Sequence, residues 1–166
     1  MTNDAIVLLK DDHKEILSVF RDFEQAGDAA HKTKGRLVDR MIELLTVHTY
    51  IENEVMYPRV RELVPDLEDD VLESYEEHHV ADVLVTELSL MDPTDERFTA
   101  KTTVLIENVR HHIEEEESEW FPQVRDALGR TVLREIGEDM LAAREKAPRR
   151  PSQPSALKKT IDAVTS

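Results

Sequence analysis

The sequence predicts an all-α protein: an up-down four-helix bundle with a short fifth helix and a Pro-rich C-terminal tail. Apolar residues recur at helical spacing along most of the chain. Only 4 of the 166 residues are glycine, 34% are charged and 5% are aromatic, a composition that favours helices over an all-β sandwich. A chain of this length can bury a hydrophobic core without cross-links.

Four long helices and one shorter helix follow from the apolar stripes and from the residues that interrupt them. Their predicted bounds are 3–25, 32–58, 66–91, 94–122 and 131–146. Pro58 removes a backbone donor and should kink or end the second helix, and the fourth runs to Pro122. Gly129 is a plausible stop before the fifth helix.

The composition changes after Ala147. Residues 148–166 contain three prolines in their first seven positions and carry a charge of +3, which leaves −18 for residues 1–147. We therefore expect a bundle domain over 1–147 and a basic, Pro-rich tail over 148–166, with one short terminal helix at most.

Charge and composition exclude several classes of protein. The net charge of −15 disfavours binding to nucleic acid, whose phosphates would be repelled. The absence of cysteine excludes disulfides, thiolate zinc sites, iron–sulfur clusters and cysteine nucleophiles. Neither a signal peptide nor a membrane span is visible. The sequence thus predicts a cytoplasmic protein with no membrane or nucleic-acid partner, as a monomer or weak homo-oligomer.

Each of the four long apolar stripes is interrupted by a histidine, and two of these histidines are followed by a glutamate one turn later. Burying such groups without a partner costs several kcal/mol. A shared cation is the simplest explanation for all of them. The candidate ligands are His13, His48, Glu52, His78, His112 and Glu116.

The spacing of these residues repeats along the chain. His48 precedes Glu52 by four residues, as His112 precedes Glu116, and an aromatic-Pro pair follows each histidine at +9 and +10. His13 and His78 lie 35 and 34 residues upstream of the paired histidines. Residues four apart share one helix face, so two αα hairpins would each present two imidazoles and a carboxylate. The repeat selects His112 and His78 over their neighbours His111 and His79.

Six ligands are too many for one tetrahedral zinc ion. They suit two ions bridged by the two carboxylates, with coordination positions left open. Imidazole and carboxylate without thiolate fit iron, manganese or zinc.

The full pattern resembles the hemerythrin-like HHE cation-binding family. The strings HTYIENEVMYP and HHIEEEESEWFP carry the resemblance, helped by DDH and EEHH, and it covers about residues 4–145. It implies a four-helix bundle with a non-haem di-iron centre, two iron ions joined by an oxo or hydroxo bridge. The family's oxygen carriers have a second histidine four residues from the third-helix histidine, whereas Ser74 and Asp82 stand at −4 and +4 here. Reversible O2 transport is therefore disfavoured.

The resemblance implies a protein that binds or reacts with O2, peroxide or NO, with catalase-like activity or a role in oxidative or nitrosative stress favoured. Two alternatives stay open, a non-enzymatic iron or oxygen sensor or store, and a metal-free helical interaction module.

Several neighbouring residues have two interpretations. Tyr57 and Trp120 suit core packing, although Tyr57 or Tyr75 would also suit the wall of a metal pocket. Asp12 and Glu77 would suit either the surface or hydrogen bonds to the ligand imidazoles. The run 114–117 is interpreted as a solvated face apart from Glu116.

Overall fold

A computed structural model describes residues 3–151 of the chain, and within that range every regular element is helical. The all-α fold and the four long helical segments predicted from the sequence are confirmed. The helices are α1 (Ala5–Gln25), α2 (His31–Ile51), α3 (Tyr57–Leu63), α4 (Glu68–Ser89), α5 (Phe98–Glu115) and α6 (Phe121–Lys146). We call α1 and α2 the first hairpin, and α4 and α5 the second hairpin.

Two π-helical turns connect helices that would otherwise be continuous. Glu52–Met56 joins α2 to α3, and Glu116–Trp120 joins α5 to α6. In these turns the amides of Tyr57 and Phe121 donate to the carbonyls of Glu52 and Glu116, five residues back. The prediction of a helix end at Pro58 or Pro122 is wrong, because the chain stays helical beyond both prolines.

The fifth predicted helix is the second part of α6. Gly129 interrupts α6 with a φ of 77°, a conformation that glycine adopts without steric cost. The interruption expected at this residue is confirmed. After it, α6 runs to Lys146, two residues before Pro148.

Contacts at the start of α1 fix its position against α6. Asp4 caps the helix, with Oδ1 accepting from the amides of Ile6 and Val7 at 2.9 and 3.2 Å. The same carboxylate pairs with Arg125 of α6 at 3.0 Å. Gly137 lies against the carbonyl of Asn3, so a Cβ there would stand 1.4 Å from that oxygen. The small residue thus permits close packing of α6 on the chain start.

Two apolar cores fill opposite ends of the bundle, with a polar layer between them. One core is built around Phe20, Phe23 and Phe98, and the other around Phe121 and Trp120. The candidate ligands fall along each helix at the change from one core to the other. This arrangement explains why each apolar stripe was interrupted once.

The start of the predicted tail packs on α2. Arg149 pairs with Glu43 at 2.8 Å, and Arg150 lies 3.6 Å from Asp39. The rest of the tail, 152–166, lies outside the described residues, and the division at 147 stays a prediction. Within 3–151, no helix is both long and apolar enough to cross a membrane.

Candidate metal centre

All six candidate ligands are buried in the polar layer, and none is more than 9% exposed. Their donor atoms form two compact groups, and within each group the atoms lie within 4.8 Å of one another. Each group combines two histidines of one hairpin with the glutamate that follows the other hairpin. The groups are His13, His48 and Glu116, and Glu52, His78 and His112.

Each carboxylate also contacts a histidine of the other group. Oε1 of Glu52 lies 2.9 Å from Nε2 of His48 and 3.4 Å from Nε2 of His78. The two oxygens of Glu116 point in different directions, Oε1 lying 3.3 Å from Nε2 of His13 and Oε2 lying 3.2 Å from Nε2 of His112. Both carboxylates therefore lie between the two groups, where a bridging ligand would be needed.

Several of these atoms lack hydrogen bonds although they are buried. Nε2 of His13, Nε2 of His48, both oxygens of Glu52 and Oε1 of Glu116 have no hydrogen-bond partner among residues 3–151. Some of them lie within ion-pair distance of one another, as Nε2 of His48 does from Oε1 of Glu52 at 2.9 Å. Buried polar atoms are rarely left unsatisfied. A cation bound between them would satisfy them, so the donor set fits a metal.

The other ring nitrogen of each of the four candidate histidines faces an oxygen acceptor. Nδ1 of His48 lies 3.0 Å from Asp12, and Nδ1 of His112 lies 2.8 Å from Glu77. These two acceptors precede His13 and His78 in sequence, so the interpretation of Asp12 and Glu77 as partners of imidazoles fits the structure. Arg144 of α6 in turn pairs with Asp12 at 3.0 Å.

The remaining two acceptors were missed by the sequence reasoning. Asn53 lies 2.9 Å from Nδ1 of His78, and Glu117 lies 2.6 Å from Nδ1 of His13. Each follows a candidate carboxylate and reaches a histidine of the other hairpin. With Nδ1 donating outward in all four rings, Nε2 is left facing the centre as a ligand nitrogen requires.

Tyr57 brings a hydroxyl into the centre. Its Oη donates to Oε2 of Glu116 at 2.7 Å and lies 3.2 and 3.3 Å from Nε2 of His78 and His112. The corresponding residue of the second half is Phe121, whose ring stacks on His13 at 5.9 Å. Tyr57 thus lines the centre, whereas Tyr75 packs behind it with a ring separation of 5.5 Å.

Burial and neighbouring charges both shift the pKa values of these groups. Burial opposes the charged form of His48, but the carboxylates of Glu52 and Asp12 raise its pKa to about 10. For His112, burial is likewise outweighed by Glu116 and Glu77, and the pKa rises to about 11. Burial would raise the pKa of Glu52, yet the facing imidazoles hold it well below its ordinary value. Without a metal, protons therefore balance the charge of the carboxylates.

Other nearby candidates lie away from the centre. His79 and Asp82 are exposed on α4. His111 is exposed too, and its Nε2 lies 3.0 Å from Glu115 rather than from either group. The structure thus places His78 and His112, and neither His79 nor His111, in the two buried groups.

A cavity of about 300 Å³ opens beside the centre. Its wall includes His48, His78 and His112, and most of the remaining surface is apolar. The apolar part comes from all four helices of the two hairpins, through Ile16, Leu45, Ala81, Val109 and Ile113. Three glutamates, Glu73, Glu77 and Glu115, also line the cavity. Three of the candidate ligands therefore face a space large enough for a small molecule.

Comparison with known families accounts for this arrangement of histidines and glutamates. The model of the hemerythrin HHE cation binding domain matches residues 4–124. The chain belongs to the hemerythrin HHE family. The resemblance drawn from the repeated motif is thereby confirmed, and membership implies a cation-binding centre. α6 extends beyond the matched region, and it supplies Arg144 behind Asp12.

Two known proteins are similar to this chain. A hemerythrin HHE cation binding domain-containing protein from Mycobacterium kansasii superposes with a TM-score of 0.71 over 86% of each chain at 21% identity, which shows the shared fold. A protein named DNA nickase from Nostoc sp. is 26% identical over 143 residues, 86% of this chain. The match spans 40% of the length of that protein.

Proposed function

We propose that the chain is a non-haem di-iron protein that binds or reacts with O2, peroxide or NO, with peroxide decomposition or another stress response favoured. The observation that carries this proposal is the set of six buried donors, arranged as two groups with both carboxylates between them. Two ions shared by Glu52 and Glu116 would use every donor. Each ion would keep positions open for an exogenous ligand.

Different residues of the chain would have different roles in such a centre. Bound iron would supply Lewis acidity and a store of electrons, so no protein nucleophile is needed. The acceptors at each Nδ1 fix the ring orientation and tautomer of the histidines. The cavity beside His48, His78 and His112 has room for a small ligand, and most of its surface is apolar.

Tyr57 supplies a hydrogen-bond donor in a centre otherwise rich in acceptors. Its hydroxyl proton lies between Oη and Oε2 of Glu116, and burial with the neighbouring carboxylates raises the Tyr57 pKa well above its ordinary value. The hydroxyl therefore stays protonated at neutral pH. Tyr57 therefore fixes the orientation of the Glu116 carboxylate between the two groups.

Oxygen evolution from hydrogen peroxide tests the enzymatic form of this proposal. The iron-loaded protein should evolve O2, and a His48→Ala/His112→Ala variant should lose the activity with its metal. The matched control is His31→Ala/His79→Ala, which removes two exposed imidazoles outside the centre. Equal rates from the wild-type protein and the His48/His112 variant would contradict the proposal.

A sensor or store is the second candidate, and one contact chain favours it. Arg144 near the end of α6 holds Asp12, which holds His48. A change in metal occupancy would thus alter contacts close to the start of the tail. Limited proteolysis and size-exclusion chromatography should then distinguish metal-free from loaded protein. Identical cleavage of the tail and identical oligomeric state would remove the support for a sensor.

The remaining alternative and the partner predictions can be tested as simply. A metal-free interaction module would predict that apolar replacement of the six candidate ligands stabilises the fold and preserves function.

The acidic charge of −15 continues to disfavour DNA as a partner, whatever the Nostoc protein does. Nicking of supercoiled plasmid by the purified chain would overturn that expectation. A cytoplasmic location and a monomer or weak homo-oligomer stay part of the proposal.

A further inference from the structure

The cavity beside the candidate centre is large compared with the ligands named so far. Its volume is about 300 Å³, whereas an apolar protein cavity of about 150 Å³ is already large enough to hold benzene. A molecule of O2, hydrogen peroxide or NO would occupy only a small part of this space. The cavity therefore has room for a ligand that carries an organic group.

The lining of the cavity changes from its buried wall to its mouth. The buried wall includes His48, which belongs to one donor group, and His78 and His112, which belong to the other. Most of the other buried lining residues are aliphatic, namely Ile16, Leu45, Ala81, Val109 and Ile113. The exposed lining residues mark the mouth, and they include Glu73 and His111. A ligand in the cavity would thus have one end near both donor groups and an apolar surface around the rest.

The charges around the cavity favour an uncharged ligand. Glu73, Glu77 and Glu115 line it, and within the described part of the chain no lysine or arginine does. Carboxylates at the mouth repel an anion. An anionic head group, such as the carboxylate of a fatty acid, would find no cationic partner there, and an aliphatic wall offers none either.

We propose that the candidate centre takes an uncharged organic hydroperoxide, ROOH, as its substrate. The O–O group would lie toward His48, His78 and His112, and the organic group R would pack against the aliphatic wall. Removing R from water would favour binding in a way that hydrogen peroxide, which has no apolar group, cannot match. The inference rests on the proposed function and names a substrate class for it.

The reaction is a two-electron reduction that breaks the O–O bond. ROOH, two electrons and two protons give the alcohol ROH and one molecule of water. Two ferrous ions would each give up one electron, and the protons come from solvent. A thiol reductant would return the oxidised centre to the ferrous state for a second turnover.

Binding can be measured without any reaction. The protein is loaded with Zn²⁺, which has no redox chemistry, and titrated with 2-phenylpropan-2-ol, the alcohol that corresponds to cumene hydroperoxide. Methyl NMR signals of Ile16, Leu45, Val109 and Ile113 should shift, because these residues line the cavity. Signals of Leu133, in the other apolar core, should not shift.

A larger side chain in the cavity should weaken this binding. Ala81→Phe places a ring in the space proposed for R and should reduce affinity for the alcohol by about tenfold or more. Ala127→Phe adds the same ring at an exposed position of α6 and should leave affinity unchanged. Zinc content and helical circular dichroism show whether each variant is folded. Equal affinity of the two folded variants, or no shift of the cavity methyl signals in the wild-type protein, would overturn the proposal.

The preference for an uncharged ligand is tested on the wild-type protein alone, so it does not depend on the folding of a variant. The 4-carboxylate of the same alcohol should bind about tenfold more weakly at pH 7, since the glutamates at the mouth repel it. Equal affinity for the two alcohols would overturn the preference.

The reaction itself is tested in a single turnover. Ferrous protein mixed with cumene hydroperoxide should yield one 2-phenylpropan-2-ol for every two ferrous ions oxidised. Acetophenone as the main product would contradict the two-electron step, because it forms when one electron breaks the O–O bond and the resulting alkoxyl radical loses a methyl group. Oxidation by hydrogen peroxide but not by cumene hydroperoxide would overturn the inference and leave the proposed function standing. Oxidation by neither, in protein that holds its iron, would contradict the proposed function and the inference with it.

Discussion

The hydroxyl of Tyr57 donates to Oε2 of Glu116 across 2.7 Å and so joins the first half of the bundle to the second inside the candidate centre. Phe121, at the equivalent place in the second half, packs on His13 with its ring and offers no hydroxyl. The acceptors at Nδ1 also differ between the halves. Asn53 faces His78 with an amide, and Glu117 faces His13 with a carboxyl group. The repeated halves therefore build two groups of donors with different surroundings.

Replacing Tyr57 by Phe should destabilise the metal-free protein. The substitution keeps the ring among its aromatic neighbours but removes the donor to a buried carboxylate, a bond to a charged group worth about 1.5–3 kcal/mol. The free energy of unfolding from urea titration should fall by that amount. Tyr50→Phe, outside the centre, should change it by less than about 0.5 kcal/mol. Equal effects of the two substitutions would count against the Tyr57 bond.

Asp12→Asn should weaken metal binding. Asp12 accepts from Nδ1 of His48, and loss of such a partner reduces affinity by about 10- to 100-fold. Competition with a chromophoric chelator for Zn²⁺ or Co²⁺ measures the change. Asp11→Asn, one residue away on the exposed side of α1, is the matched control and should have wild-type affinity. Wild-type affinity in the Asp12 variant would contradict the assigned role.

Metal binding should release protons. The metal-free protein holds His48 and His112 protonated at neutral pH because their pKa values are raised to about 10 and about 11. A metal requires the neutral ring, so loading at pH 7 should release about two protons per chain. Calorimetric titration in two buffers of different ionisation enthalpy measures that number. No release would mean that these rings do not bind the ion.

The same shifts set how the stability of the metal-free protein depends on pH. Both histidines have folded-state pKa values above their ordinary 6.5, so their stabilising contribution is complete below about pH 6.5. It is lost as the pH rises through 10 to 11. The pH dependence that comes from Glu52 runs the other way. Its pKa is lowered in the folded protein, so its carboxylate stabilises the fold above about pH 4.5, and this contribution is lost in acid.

The positions of the histidines could be predicted from sequence because each replaces an apolar residue in a helical stripe. The repeat then separated His78 from His79 by register alone. The π-helical turns could not be predicted from that periodicity, since they change the angular position of the residues that follow Glu52 and Glu116. Glu117 therefore looked like part of a solvated run, although it reaches His13. The proline six residues after each glutamate, within a continuing helix, was the available sign of the altered turn.

Removal of the metal should lower the melting temperature. A ligand that binds only the folded state stabilises it, and chelation also leaves the buried carboxylates of Glu52 and Glu116 dependent on protonated imidazoles. Differential scanning calorimetry of loaded and chelated protein measures the difference. Identical melting temperatures would contradict a buried metal centre.

Metal content per chain tests the central claim most directly. The protein should be purified without chelator and without a nickel affinity step, and its metals counted by mass spectrometry against protein concentration. Two groups of donors sharing Glu52 and Glu116 predict close to two iron ions per chain. A folded protein that contains no metal and takes up none would contradict the account, and the six buried polar side chains would then belong to a helical interaction module.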